Sequence, residues 1–222
     1  ALSAARGGAR VLLLERAGYL GGMLTGGLVH SLHGYRLHKN YVGGLPMTNW
    51  STPLVVKGIA LEILMRVQEA GGTVNHAHFA DPSVRENFDE EIMMRVLDQM
   101  MEDAGVTVLL NTIAFGVLKE GDAVRGLMIA NKSGPQIVRA KTVVDATGDA
   151  DIAAAAGVAF EHGGNGNKRL AHGAALMMEV GGIDADRFLG YLRERPAPTP
   201  EELEAIRRDQ WELTNGGSPS PD

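Results

Sequence analysis

No cysteine occurs among the 222 residues. Disulfides, thiolate zinc sites and iron–sulfur ligation by this chain are thereby excluded, and a reducing cytoplasm is the expected setting. An iron–sulfur centre working with it would have to sit on other segments or on a partner. Excess positive charge is also missing: 21 Lys and Arg against 27 Asp and Glu leave a net charge of −6. Such a chain lacks the basic patch that neutralises phosphates, so nucleic acid is not an expected partner. No apolar run is long enough to span a bilayer, and the first residues lack the basic, apolar, small-residue order of a signal peptide. No internal period marks a repeat protein.

What is present is ordinary globular material, 45 % hydrophobic and 22 % charged, enough for one large domain or one domain and part of another. "ALSAARGGA" reads as the last turns of a small-residue helix ended by glycine, and "RVLLLER" as a strand covered on both faces in a parallel sheet. Together they are the second half of a βαβ unit, whose first half is expected upstream of Ala1. Residues 18–53 are glycine-rich and without lasting period, which predicts a long loop of the kind that lies over a ligand. "KGIALEILMRVQEAGG" predicts a helix with Ala60, Ile63, Leu64 and Val67 on one stripe. "NFDEEIMMRVLDQMMEDAG" predicts another, started by Asp89 as N-cap or by an Asn87 to Glu90 capping box. Its methionines read as core rather than as a cofactor box.

After Gly105 the period becomes two. "VTVLL", "IAFGVLKE", "AVRGLMIAN" and "QIVRAKTVVDATG" read as strands of a β-meander. The last of them is expected to run as a buried strand into a glycine turn and the helix "DIAAAAG", capped by Asp149 or Asp151. The character changes past residue 160. There "GAALMMEV" suggests a strand, "IDADRFLGYLRER" a helix, and Thr199 to Glu202 a capping box with proline at the first helical position. The predicted domains are thus 1–160 and an incomplete 161–222.

Three features carry chemistry. Glu15 ends a parallel-type strand, the place where a dinucleotide fold keeps the carboxylate that accepts hydrogen bonds from the adenosine ribose. A carboxylate there disfavours a 2′-phosphorylated ribose. In "GYLGGMLTGG", glycines let backbone amides approach pyrophosphate, and Thr25 offers a hydroxyl. "DATGDAD" turns where ligands bind in open α/β sheets, at the carboxyl edge. Each motif alone has a plain structural alternative: a surface charge, a loop, a helix cap.

In this order the motifs resemble the FAD-dependent oxidoreductases that begin with a GxGxxG βαβ unit, related to fumarate-reductase-like flavoproteins and the flavin subunit of heterodisulfide reductase. The matching segments are residues 11–16, 18–25, 88–112, 131–134 and 143–157. The resemblance implies an α/β fold: a Rossmann-like FAD-binding domain of parallel sheet with a β-meander crossover, plus the start of an α+β cap or substrate domain. It implies Glu15 at the adenosine ribose with Arg16 beside it. Gly21, Gly22 and Thr25 would line the pyrophosphate and ribityl path, the backbone of Ile113 and Ala114 the adenine edge, and Thr147, Gly148 and Asp149 the adenosine half. Both the GxGxxG turn and the C-terminal glycine–aspartate segment are absent, so on this resemblance the chain is an internal fragment.

The expected activity is transfer of a hydride or electrons between FAD and a small substrate or redox partner. An electron-transfer module without turnover of its own and a nicotinamide-dependent dehydrogenase are the alternatives. The dehydrogenase is disfavoured by the antiparallel meander. No catalytic group is assigned. His30 and His33, with His38 further along the loop, are the candidates for proton handling. Metal is not expected, because no carboxylate stands near the His30–His33 pair in sequence.

Overall fold

A computed structural model describes residues 1–33, 56–74, 85–161, 175–194, 199–202 and 204–205. His38 and most of the predicted long loop lie outside the described residues. The chain divides into two compact units, Ala1–Phe160 and Glu161–Asp222.

In the first unit, helix α1 (Leu2–Arg6) ends at Gly7, and strand β1 (Leu12–Leu14) follows. β1 pairs in parallel with β5 (Thr107–Leu109), Leu12 opposite Thr107 and Leu14 opposite Leu109. "VTVLL" therefore belongs to the parallel pair and not to the meander. The meander is formed by β6 (Ile113–Glu120), β7 (Ala123–Asn131) and β8 (Gly134–Arg139), all antiparallel. Short turns join them, the second closed by Ser133 N–H donating to Asn131 Oδ1. This combination of parallel and antiparallel sheet is the predicted Rossmann-like α/β class.

A third sheet was not legible. β2 (Ser31–His33) and β3 (Thr73–Val74) flank β4 (Arg85–Phe88), both antiparallel to it. Each of these strands is two to four residues long, too short to display a period. Their ladder comes from partners far apart in sequence.

Helices α2 (Ile59–Glu69) and α3 (Glu90–Asp103) pack against each other. Asp89 is the N-cap of α3, its carboxylate accepting Ile92 N–H at 2.9 Å. Met93, Val96, Leu97, Met100 and Met101 are buried, so the methionines are core as expected, and α2 adds Val67 to their cluster and buries Leu64. Ala60 is exposed instead of joining that stripe. Phe88, Val106, Leu2 and Leu20 complete the cluster. Full burial of an aliphatic side chain contributes about 1.5–3 kcal/mol, and this cluster is where most of it is gained. Gly72 permits the close approach of the two helices: a Cβ there would stand 2.5 Å from Ile92 Cγ2 and 2.9 Å from Val67 Cγ1.

Two predicted strands do not form. "KTVVDA" is irregular, and Val144 is 82 % exposed. An isolated extended segment gains nothing from β geometry without a ladder partner, and no described strand pairs with it. "ALMMEV", in the second unit, is likewise irregular and exposed. That unit does contain the predicted helix, α5 (Ala185–Glu194), started by Asp184 Oδ1 accepting Arg187 N–H at 3.0 Å. It also contains the predicted capping box. Thr199 N–H donates to Glu202 Oε2 at 2.8 Å, and Glu202 N–H to Thr199 Oγ1 at 3.2 Å. No helix among the described residues is long and apolar enough to cross a membrane.

Candidate functional site

β1 and β5 end side by side, and backbone bonds bind their exits together. Glu15 N–H donates to Leu109 O, Thr112 N–H to Glu15 O, and Asn111 N–H to Ala17 O, each at 2.9 Å. Glu15 thus stands at the carboxyl end of the parallel pair, half-buried. Its Oε1 accepts Ala17 N–H at 2.8 Å, while Oε2 accepts nothing among the described residues. An ionised carboxylate can only accept, so the second oxygen is left as an acceptor. Arg16 beside it is exposed. Ile113 and Ala114 begin β6 at the same sheet end, joined to Glu15 through Thr112.

Thr112 is 2 % exposed, its hydroxyl donating to Leu110 O at 2.9 Å and accepting Asn131 Nδ2–H at 3.4 Å. Asn111 adopts φ +50°, a left-handed conformation that asparagine tolerates better than most residues. Sequence reasoning passed over Asn111. The signal was an Asn between two strands, in "LLNTIAF".

The glycine loop has two kinds of glycine. Gly21 has φ +114°, and a Cβ there would lie 2.5 Å from Thr25 Cγ2, so this position serves packing. Gly22, at φ +54°, faces open space and begins a short 3-10 turn over Gly22–Leu24. Of the two, Gly22 leaves room for a ligand. Thr25 is fully buried, and its hydroxyl donates to Leu20 O at 2.8 Å. That bond closes the turn.

At "DATGDAD" the organising group is Asp145, to which sequence reasoning gave no role. Its Oδ1 accepts Thr147 N–H at 3.0 Å and Thr147 Oγ1–H at 2.8 Å, and its Oδ2 accepts Ala153 N–H at 2.7 Å. These donors, Thr147 N–H foremost, hold its pKa below the usual carboxylate range against the cost of partial burial. Helix α4 (Asp151–Ala155) is capped in this way from upstream. Its N-cap residue, Ala150, has φ +58° and no side-chain bond, so neither Asp149 nor Asp151 acts as the cap. Thr147 Oγ1 accepts Asp151 N–H at 3.0 Å. The signal was an Asp two residues before a Thr, an Asx-turn pattern. Gly148, at φ +91°, and Asp149 are left exposed at the tip. Lys119 Nζ, donating to Ala156 O at 2.6 Å, anchors the far end of α4 to β6. No hydrogen bond joins this turn to Glu15 among the described residues.

No hydrogen bond joins His30 to Glu15 among the described residues. His30 precedes β2, its carbonyl accepting Phe88 N–H at 3.0 Å. Its Nε2 is buried without a hydrogen bond, 3.3 Å from Glu90 Oε2 in the first turn of α3. β2 carries His33 as its last residue. Among the described residues no group of three or more His, Asp or Glu side chains is placed to hold a metal ion.

The chain matches the FAD dependent oxidoreductase family over residues 1–218. It belongs to that family. Its cofactor is FAD, and the residue with an acceptor to spare at the exit of the parallel pair is Glu15, whose Oε2 has no partner among the described residues. Solved structures are similar at lower identity. THI4 from Thermovibrio ammonificans is 22 % identical, with 69 % of this chain and 54 % of that one covered at a TM-score of 0.43. A geranylgeranyl bacteriochlorophyll reductase-like protein from Thermoplasma acidophilum is 20 % identical, with 70 % and 38 % covered at 0.46. Aklavinone-11 hydroxylase, solved with FAD and aklavinone, is 16 % identical, with 62 % and 28 % covered at 0.30. The chain spans about half or less of the length of each. No curated protein matches it.

Proposed function

We propose that this chain carries the nucleotide-binding part of an oxidoreductase that moves a hydride or electron pair between FAD and a small-molecule substrate or a redox partner protein, in the cytoplasm. FAD, when bound, supplies the redox chemistry. The observation that carries the reading is Glu15, whose Oε1 is held by Ala17 N–H while Oε2 stays available. In this role Glu15 accepts hydrogen bonds from the ribose hydroxyls, and its negative charge turns away a 2′-phosphate. Arg16 stands beside it. Gly22 allows backbone to approach the pyrophosphate, with Gly21 and Thr25 shaping the turn behind it. The backbone of Ile113 and Ala114 meets the adenine, and Thr147, Gly148 and Asp149 border the adenosine. His30 is the candidate proton carrier, with Glu90 3.3 Å away to orient it.

The test is flavin binding by the purified protein. A yellow preparation that releases FAD on denaturation is expected, and Glu15→Ala should weaken FAD about tenfold or more, since one or two charge-assisted hydrogen bonds are lost. A protein that stays colourless after FAD supplementation would refute the reading, and unchanged affinity in Glu15→Ala would remove the ribose assignment. Reduction of the bound flavin by small donors supports a substrate-using enzyme. Reduction only by another protein identifies an electron-transfer module.

A further inference from the structure

We propose that Asn111 is a second polar contact for the adenosine of FAD and helps set specificity for that half of the cofactor. The inference rests on the assignment of Glu15 to the ribose. Asn111 reaches the same sheet edge from the neighbouring strand. Its N–H donates to Ala17 O, and the next N–H, that of Thr112, donates to Glu15 O. The main chain of residues 111–112 therefore grips both sides of the Glu15 loop. The Asn111 side chain lies over this loop: a Cβ on Gly18 would stand 3.6 Å from Asn111 Oδ1 and 3.8 Å from Nδ2. Asn111 is exposed, and its amide makes no hydrogen bond among the described residues.

The chemistry of the amide complements that of the carboxylate. Glu15 only accepts, which suits ribose hydroxyls. A carboxamide both donates and accepts, which suits a purine edge or a ribose oxygen that Glu15 cannot serve. The left-handed backbone at φ +50° is tolerated by Asn, Asp and Gly but strains most other residues. Substitution by Gly therefore removes the amide while sparing the backbone bonds to Ala17.

The experiment compares wild type, Asn111→Gly, Asn111→Asp and Glu15→Ala in the FAD-binding protein stripped of its flavin. It measures FAD affinity by flavin fluorescence, ADP affinity by competition, and apoprotein Tm. Asn111→Gly should weaken FAD and ADP in parallel by about three- to tenfold, the value of one net hydrogen bond, with Tm unchanged. Asn111→Asp should weaken both at least as much, since it removes the donor and adds like charge beside Glu15. Unchanged FAD affinity in Asn111→Gly overturns the proposal. So does a loss of FAD affinity that follows a fall in Tm, or one that spares ADP. Normal FAD affinity in Glu15→Ala together with weakened binding in Asn111→Gly removes the Glu15 assignment and leaves Asn111 as the contact.

Discussion

Asp145 shows how one carboxylate can organise a turn that the sequence attributes to its neighbours. Its two oxygens collect the N–H groups of Thr147 and Ala153 and the hydroxyl of Thr147. The Ala153 N–H is a donor that a helix start otherwise leaves unpaired. Because its folded pKa is depressed, the stabilisation is fully present above the unfolded value of about 4 and is lost as the pH falls through the lower folded value. Asp145→Asn is expected to lower Tm by about 2–4 °C at pH 7, the shift that a loss of ~1 kcal/mol gives in a chain of this size. The gap from wild type should narrow below pH ~4. Thermal scans across pH check this, and a gap that widens on acidification contradicts it. Thr25 makes the opposite point. Its identity and its glycine neighbours suggested a ligand contact, but its hydroxyl goes to Leu20 O in the interior.

Helix α3 was the most legible element, because its cap and its apolar stripe both follow from residues that are local in sequence. Asp89 caps Ile92 N–H, and the acidic Glu90 and Glu91 sit in the first turn, where the helix dipole favours them. Asp89→Ala should destabilise the fold by about 1 kcal/mol, as for other N-caps. Chemical denaturation should register this as a lower midpoint at unchanged slope. The short strands were illegible for the converse reason. β2 pairs with β4 across more than fifty residues, β3 joins β4 through only two residue pairs, and β5 could be told from a meander strand only by its partner β1. Val144 and its neighbours display the mirror case, strand-like residues with no described partner and no strand.

Every buried hydrophobic residue of the described chain lies between Leu2 and Ile152, within the unit Ala1–Phe160. Ion pairs reinforce this core from outside. Arg6 is bidentate to Glu62 at 2.6 and 2.7 Å, and Arg66 bridges Glu62 at 3.2 Å and Asp103 at 2.9 Å, linking α1, α2 and α3. Exposed pairs of this kind weaken in salt. A protein ending at Phe160 should therefore still unfold cooperatively, with a Tm within a few degrees of the longer chain. Calorimetry of the two decides it, and loss of the cooperative transition would show that residues 161–222 are needed for the core.

The sequence by itself determined the helices, the Asp89 cap of α3, the meander's hairpins and the place of Glu15 at a strand end, because each depends on contacts within a few residues. It also carried the family, through motifs whose order a chance match does not reproduce. Tertiary structure alone decided which strands pair, that Asp145 rather than Asp149 or Asp151 caps α4, and that Thr25 faces inward. It also decided that Asn111 meets the Glu15 loop. These outcomes turn on where distant backbone donors and acceptors come together, and the folded chain sets those positions.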